Sequence, residues 1–145
     1  MSEADAVRAI IDQHNAHLCE WYASGDIGAV AQVFAEDCWQ MLSHTAPLVG
    51  RAAFREFWKQ AVQWGVWRFT LKAQEVVVSD PIAVERGKYI LEFSAGPAAP
   101  PGLKSNEDRG NYIVMWRHEQ DGQWRILWDA PASACHFRAL RDVAA

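Results

Sequence analysis

Between residues 3 and 23, apolar side chains recur at Val7, Ile10, Ile11, Leu18, Trp21 and Tyr22, with His14 in the same series. That three-and-four spacing predicts one amphipathic helix. "ASGD" then offers a glycine stop and Asp26 as a cap, so "IGAVAQVF" reads as a short second helix. "EDCWQML" is a strand candidate broken by "SHTAP". "VGRAAFREFWKQAVQWG" follows as a third helix, with Phe54, Phe57, Trp58 and Val62 on its apolar side and Trp64 and Trp67 near its end. From residue 66 the period drops from three-and-four to two. Strands are predicted at 66–79, 83–94, 109–118 and 123–129, with "SDP" and "EQDG" as turns. Helices first and strands after predict an α+β chain, an antiparallel sheet wrapped over about three N-terminal helices.

The strand half contains an echo. "VERGKYILEF" at 84–93 and "EDRGNYIVMWRH" at 107–118 both set an acid, an arginine and a glycine before a tyrosine and an apolar run. Gly87 and Gly110 fall inside strands, where glycine marks a bulge or bend, and such bends curl a sheet around its contents. Tyr89, Leu91 and Phe93 alternate to one face, as do Tyr112, Val114 and Trp116. Glu85 and Asp108, with Arg86 and Arg109, are expected to form cross-strand ion pairs at a rim or dimer contact. The fourteen residues 94–107 exceed an ordinary hairpin connection and read as a lid or a mobile flap. "NYIVMWR" and "WRILWD" are apolar on both alternating sets, so Ile113, Met115 and Leu127 would face water. A homodimer through the outer sheet face is the expected remedy.

Composition narrows the function classes. At 145 residues the chain is read as one domain, 1–145, with a core at about 4–133. A net charge of −4 gives no basic footprint for nucleic acid. "MSEADAVRAI" lacks a signal peptide's basic start, and no apolar run reaches membrane-helix length, so a cytoplasmic protein without membrane contact is expected. Cys19, Cys38 and Cys135 are odd in number and widely spaced, which reads as reduced thiols rather than a disulfide or zinc framework. His14 and His17 lie three apart on the first helix, but no third ligand stands at a metal-binding spacing, so no metal is expected.

The order helix–helix–strand–helix–four strands resembles the cone-shaped nuclear-transport-factor-2-like fold. "SGDIGAVAQVFAED", "PLVGRAAFREFW" and "ERGKY…DRGNYIVMWRHEQDGQWRILWD" carry the likeness, which is strongest to the SnoaL-like group related to ketosteroid isomerase. The resemblance implies a cone whose strongly curved sheet encloses a pocket, and places Leu18, Tyr22, Leu42, Trp58, Tyr89, Tyr112, Val114, Trp116 and Leu127 on its walls. It also tests known chemistries. The isomerase's base, helix tyrosine and oxyanion acid would fall at Leu42, Leu18 and Val114, all aliphatic here, so that mechanism is absent. No Arg-x-Asp of the limonene-type epoxide hydrolases occurs in the chain. A dehydratase of the scytalone type would need a pocket histidine with an acid, and His14, His44 and Asp129 are available. The polyketide cyclases of this group use a pocket aspartate, and the resemblance turns Asp129 inward. Strict alternation from Trp124 and Ile126 to Trp128 turns it outward. The expected catalytic residues are therefore Asp129 and His14. The expected ligand is a small apolar molecule handled by acid/base chemistry without a cofactor. The competing expectation is a non-catalytic dimerisation or partner-binding module with a filled cone.

Overall fold

Ser2 begins the first helix by reciprocal capping: its hydroxyl accepts from the Asp5 amide, and the Asp5 carboxylate accepts from the Ser2 amide. In this computed structural model, which describes residues 1–135, α1 runs Glu3–Ser24 and buries Val7, Ile11, Asn15, Leu18 and Tyr22 on one face. Asp26 caps α2 (Ile27–Val33), accepting from the Ala29 amide at 3.1 Å. There follow β1 (Phe34–Gln40), a two-residue β2 (Leu48–Val49), α3 (Arg51–Ala61), β3 (Gly65–Ser79), β4 (Ile82–Ala95), β5 (Asn106–His118) and β6 (Trp124–Ser133). No helix among the described residues is long and apolar enough to cross a membrane. The three cysteines are free thiols, Cys38 fully buried.

The six strands form one curved, unclosed sheet in the order β2-β1-β6-β5-β4-β3. The class is α+β as expected, but the sheet is mixed rather than wholly antiparallel. β1 and β6 run parallel, with Gln40 beside Asp129. A partner some ninety residues away leaves no turn signal in the sequence, so local pattern cannot reveal this pairing. Helix α1 lies against β3, where the Arg8 guanidinium reaches the Ala73 carbonyl at 2.8 Å.

The echo is a reciprocal lock between β4 and β5. Their register sets Gly87 opposite Tyr112 and Tyr89 opposite Gly110, so each tyrosine faces the other segment's glycine. A Cβ on Gly87 would stand 2.5 Å from the Tyr112 hydroxyl and 2.4 Å from the Lys72 carbonyl oxygen. One on Gly110 would stand 2.1 Å from the Ala132 carbonyl oxygen. Each tyrosine also donates to the acid two residues before that glycine: Tyr112 to Glu85 at 2.5 Å and Tyr89 to Asp108 at 2.7 Å. The register shift expected near Gly87 falls on the neighbouring strand, at Gln74 of β3.

The expected rim ion pairs are therefore not formed. Glu85 is fully buried and Asp108 half-buried, both holding hydroxyls, while Arg86 pairs with Glu75 and Arg109 with Glu107. Strand alternation explains the split: Glu85 and Asp108 share the inner face with the tyrosines, and the arginines one residue on point out. Both strands extend further than expected, leaving a connection of residues 96–105, tied by Gly96 to the Trp64 carbonyl.

Candidate active site

The concave side holds a chamber of about 250 Å³, just under the usual range of ligand pockets. Leu18 and Tyr22 of α1, Leu42 after β1, Trp58 of α3, Tyr89 of β4, and Tyr112 and Val114 of β5 all line it, together with Asp129 of β6. Between Phe57, Trp67, Phe69, Leu71 and Leu91 the wall is almost wholly apolar. Tyr22, Trp58, Phe69 and Trp67 pack against one another edge to face or tilted, with centroids 4.9 to 5.1 Å apart from Phe69 through Tyr22 and Trp58 to Trp67.

A β-bulge settles the orientation of Asp129. Met115 pairs with Trp128, but Trp116 pairs with Ile126, so Leu127 is an extra residue on β6. Trp124 and Ile126 point inward before it; after it Trp128 turns to solvent and Asp129 faces the chamber. Leu127 packs against the core beside the bulge but does not line the chamber, which corrects its expected place. Beyond Asp129 the strand continues through Pro131, where β1 has ended and no partner is lost for want of an amide hydrogen.

Asp129 is held on one side only. The Trp58 indole N–H donates to the Gln40 amide oxygen at 2.8 Å, so the Gln40 NH₂ must point the other way, where it donates to Asp129 Oδ2 at 2.8 Å. No hydrogen bond reaches Asp129 Oδ1 among the described residues, and Asp129 lines the chamber. Burial pushes the Asp129 carboxyl up to about 6; the Gln40 donor pulls it back in part, and the charge of Glu85 adds to the rise. Tyr22 is held above its ordinary range by burial and by Asp129, with Gln40 acting against both.

Behind this wall lies Glu85, which accepts from Asn15 Nδ2 at 2.7 Å, Tyr112 at 2.5 Å and Trp116 Nε1 at 2.9 Å. All three partners are neutral. Trp116 is therefore not a wall residue: its ring is fully buried behind the chamber, where its N–H serves Glu85. His14 is not brought to the chamber either. Asn15 and Leu18 face inward, and one residue along a helix turns a side chain by about 100°. His14 instead stacks on Trp116, ring centroids 5.4 Å apart, with its pKa lowered by burial and by His17 and Arg125. His44 lies exposed in the loop after β1. Asp108 forms a second polar point on the wall, taken up by Tyr89 and by Ser133 Oγ at 2.6 Å. No group of His, Cys, Asp and Glu suited to a metal ion occurs among the described residues.

Gln40, Asn15 and Glu85 were missed as functional positions, though faint signals existed. Asn15 is four residues after Ile11 and three before Leu18, hence on the buried face; Gln40 alternates with buried Cys38. A polar residue in an apolar series is the trace of a buried hydrogen bond.

Solved structures share the architecture. A ketosteroid isomerase-like protein from Erwinia carotovora atroseptica superposes with a TM-score of 0.73 at 16% identity, covering 87% of this chain and 95% of its own. An NTF2-like protein with a cystatin-like fold from Novosphingobium aromaticivorans gives 0.72 at 20% identity, covering 95% and 88%. A conserved protein from Planctomyces limnophilus gives 0.77 at 18%, covering 89% and 98%. At such identities the likeness is one of fold. No curated protein matches the sequence. The SnoaL-like domain family matches residues 16–126, most of the chain, with all of β1 to β5 and the first three residues of β6, and the chain belongs to that family.

Proposed function

We propose that the chamber binds a small, largely apolar molecule and that Asp129 exchanges a proton with it, without a cofactor. The observation that carries this reading is the asymmetry of Asp129 on the wall of an apolar chamber: one oxygen is fixed by Gln40, and the other has no hydrogen-bond partner among the described residues. A carboxyl at about 6 is mostly ionised at neutral pH, yet its conjugate acid forms readily enough to return the proton. The reaction class this favours is proton abstraction beside a carbonyl. Oδ1 takes the C–H proton, the electron pair moves onto the carbonyl oxygen, the Tyr22 hydroxyl steadies that oxygen, and reprotonation at carbon restores the carboxylate. The open chamber speaks against a filled cone as the alternative.

The test is deuterium exchange at the activated carbon of β-tetralone in D₂O, followed by proton NMR. The protein should accelerate exchange over buffer, and Asp129→Asn should remove about 10²–10⁴-fold of the acceleration. The rate should rise with pH through about 6 and level off above it, because the ionised form is the base. Exchange no faster than buffer, or an undiminished rate in Asp129→Asn, refutes the proposal.

A further inference from the structure

Among the described residues, the charges around the chamber do not balance. Asp129 and Asp108 lie on its wall, and Glu85 stands directly behind two wall residues, Asn15 and Tyr112. None of these three carboxylates forms a salt bridge among the described residues, and none of the wall residues is Lys, Arg or His. The contrast with the surface is sharp: Arg117 and Arg125 hold Asp37, Glu119 and Asp121 in a dense network on the far side of the sheet. The partners of Glu85 are three donors, the arrangement an ionised carboxylate calls for. A buried carboxylate without a counter-ion is costly, and here the fully buried Glu85 acts on the same space as the wall carboxylates Asp108 and Asp129. The same space is walled by Tyr22, Trp58, Trp67 and Phe69, whose π-faces attract cations.

We infer that the ligand supplies the missing positive charge: it is an organic cation, a protonated amine on an apolar or aromatic body, whose ammonium lies on the carboxylate side of the chamber, near Asp129 and Asp108, while the aromatic cluster holds the rest. This rests on the chamber being a ligand site, as proposed above, and goes beyond it in naming the charge class. A carboxylate or phosphate ligand would add like charge to the enclosure and is rejected.

The emission of Trp58 and Trp67 reports entry, so fluorescence titration near pH 7.5 with phenethylamine, phenethyl alcohol and phenylacetate tests the inference on three probes of one ring system. Phenethylamine should bind at least about tenfold more tightly than the alcohol, as an ammonium–carboxylate ion pair replaces a hydrogen bond from a neutral hydroxyl, and phenylacetate should not saturate. Asp129→Asn should lower the amine-to-alcohol ratio about tenfold, and Glu85→Gln should lower it less. Alcohol binding as tight as amine binding, or tight phenylacetate, overturns the charge class but leaves the ligand site standing. No response to any probe overturns both. His136, Arg138 and Arg141 lie outside the described residues, so the series is repeated with Arg138→Gln and Arg141→Gln in the full chain. An amine preference that appears only in that variant would mean the chain carries its own counter-cation, and would also overturn the inference.

Discussion

Asp129 is the residue whose environment has the clearest measurable consequence. The folded protein binds its proton more tightly than the unfolded chain does, because burial raises the pKa from 3.8 to about 6. The group therefore contributes stability that is full below about pH 4 and is lost as pH rises through about 6. Asp129→Asn should leave stability unchanged near pH 4 and raise it by roughly 1–3 kcal/mol near pH 8, read from urea unfolding at both. A variant less stable than the parent at pH 8 would contradict this. Gln40→Leu removes the donor to Asp129 and leaves the Trp58 indole N–H without its acceptor, so a loss of about 1–3 kcal/mol is expected in the same assay. Asp129 also shows where sequence pattern stops. Nothing in "WRILWD" marks Leu127 as supernumerary, since bulges follow from how two strands fit rather than from one strand's residues. Family resemblance put Asp129 inside while placing Leu127 there too; alternation put Trp128 inside. The bulge makes each half right.

At the scale of elements, the repeated segment of β4 and β5 is visible in the sequence as a repeat, but its glycines, expected to mark bulges or bends, instead make room for close approach of Tyr112 and of neighbouring carbonyls. Its logic was not visible, because each half completes the other across the sheet: the tyrosine of one needs the glycine and acid of its partner strand. The helices were legible for the opposite reason, since periodicity and capping act within one segment. Gly87→Ala should destabilise by about 3 kcal/mol or more, as the new methyl has only backbone and the Tyr112 ring to displace. Gly28→Ala in α2, where a Cβ would meet only Asp26 Oδ1 at 3.7 Å, should instead stabilise by about 0.5–1 kcal/mol. Thermal unfolding of the pair separates crowding from a general effect of glycine replacement; equal shifts would refute the lock.

For the whole molecule, the outer sheet face carries a row that crosses every strand: Val49, Trp39, Trp128, Met115, Val84 and Val77 are successive cross-strand neighbours. Val49, Trp39, Trp128 and Val77 are exposed by 41 to 59%, and Ile113 lies beside the row at 56%. The ion pairs Arg117–Asp37 and Arg86–Glu75 flank it, an apolar centre with a polar rim. The homodimer expected from the sequence is proposed on this row, with Trp128 and Trp39 in place of Leu127. Light scattering at micromolar concentration should report a dimer, and Trp128→Glu should report a monomer with its chamber intact. A monomeric parent protein would refute the arrangement.

The position of β6 in the middle of the sheet sets an order of events for biosynthesis. The strand that carries Asp129 is the last of the six to be synthesised, yet it fills the gap between β1 and β5. Until it arrives, a nascent chain holds two unpaired strand edges, the kind that recruit neighbouring chains. Closing the gap joins Gln40 to Asp129 across 89 residues, a slow, non-local step. In refolding, tryptophan burial around α3 should precede the return of ligand binding, which appears only when β6 docks. Occupancy of the chamber thus reports a finished molecule, and a ligand present during synthesis would act as a folding aid by trapping the one strand that seals both edges.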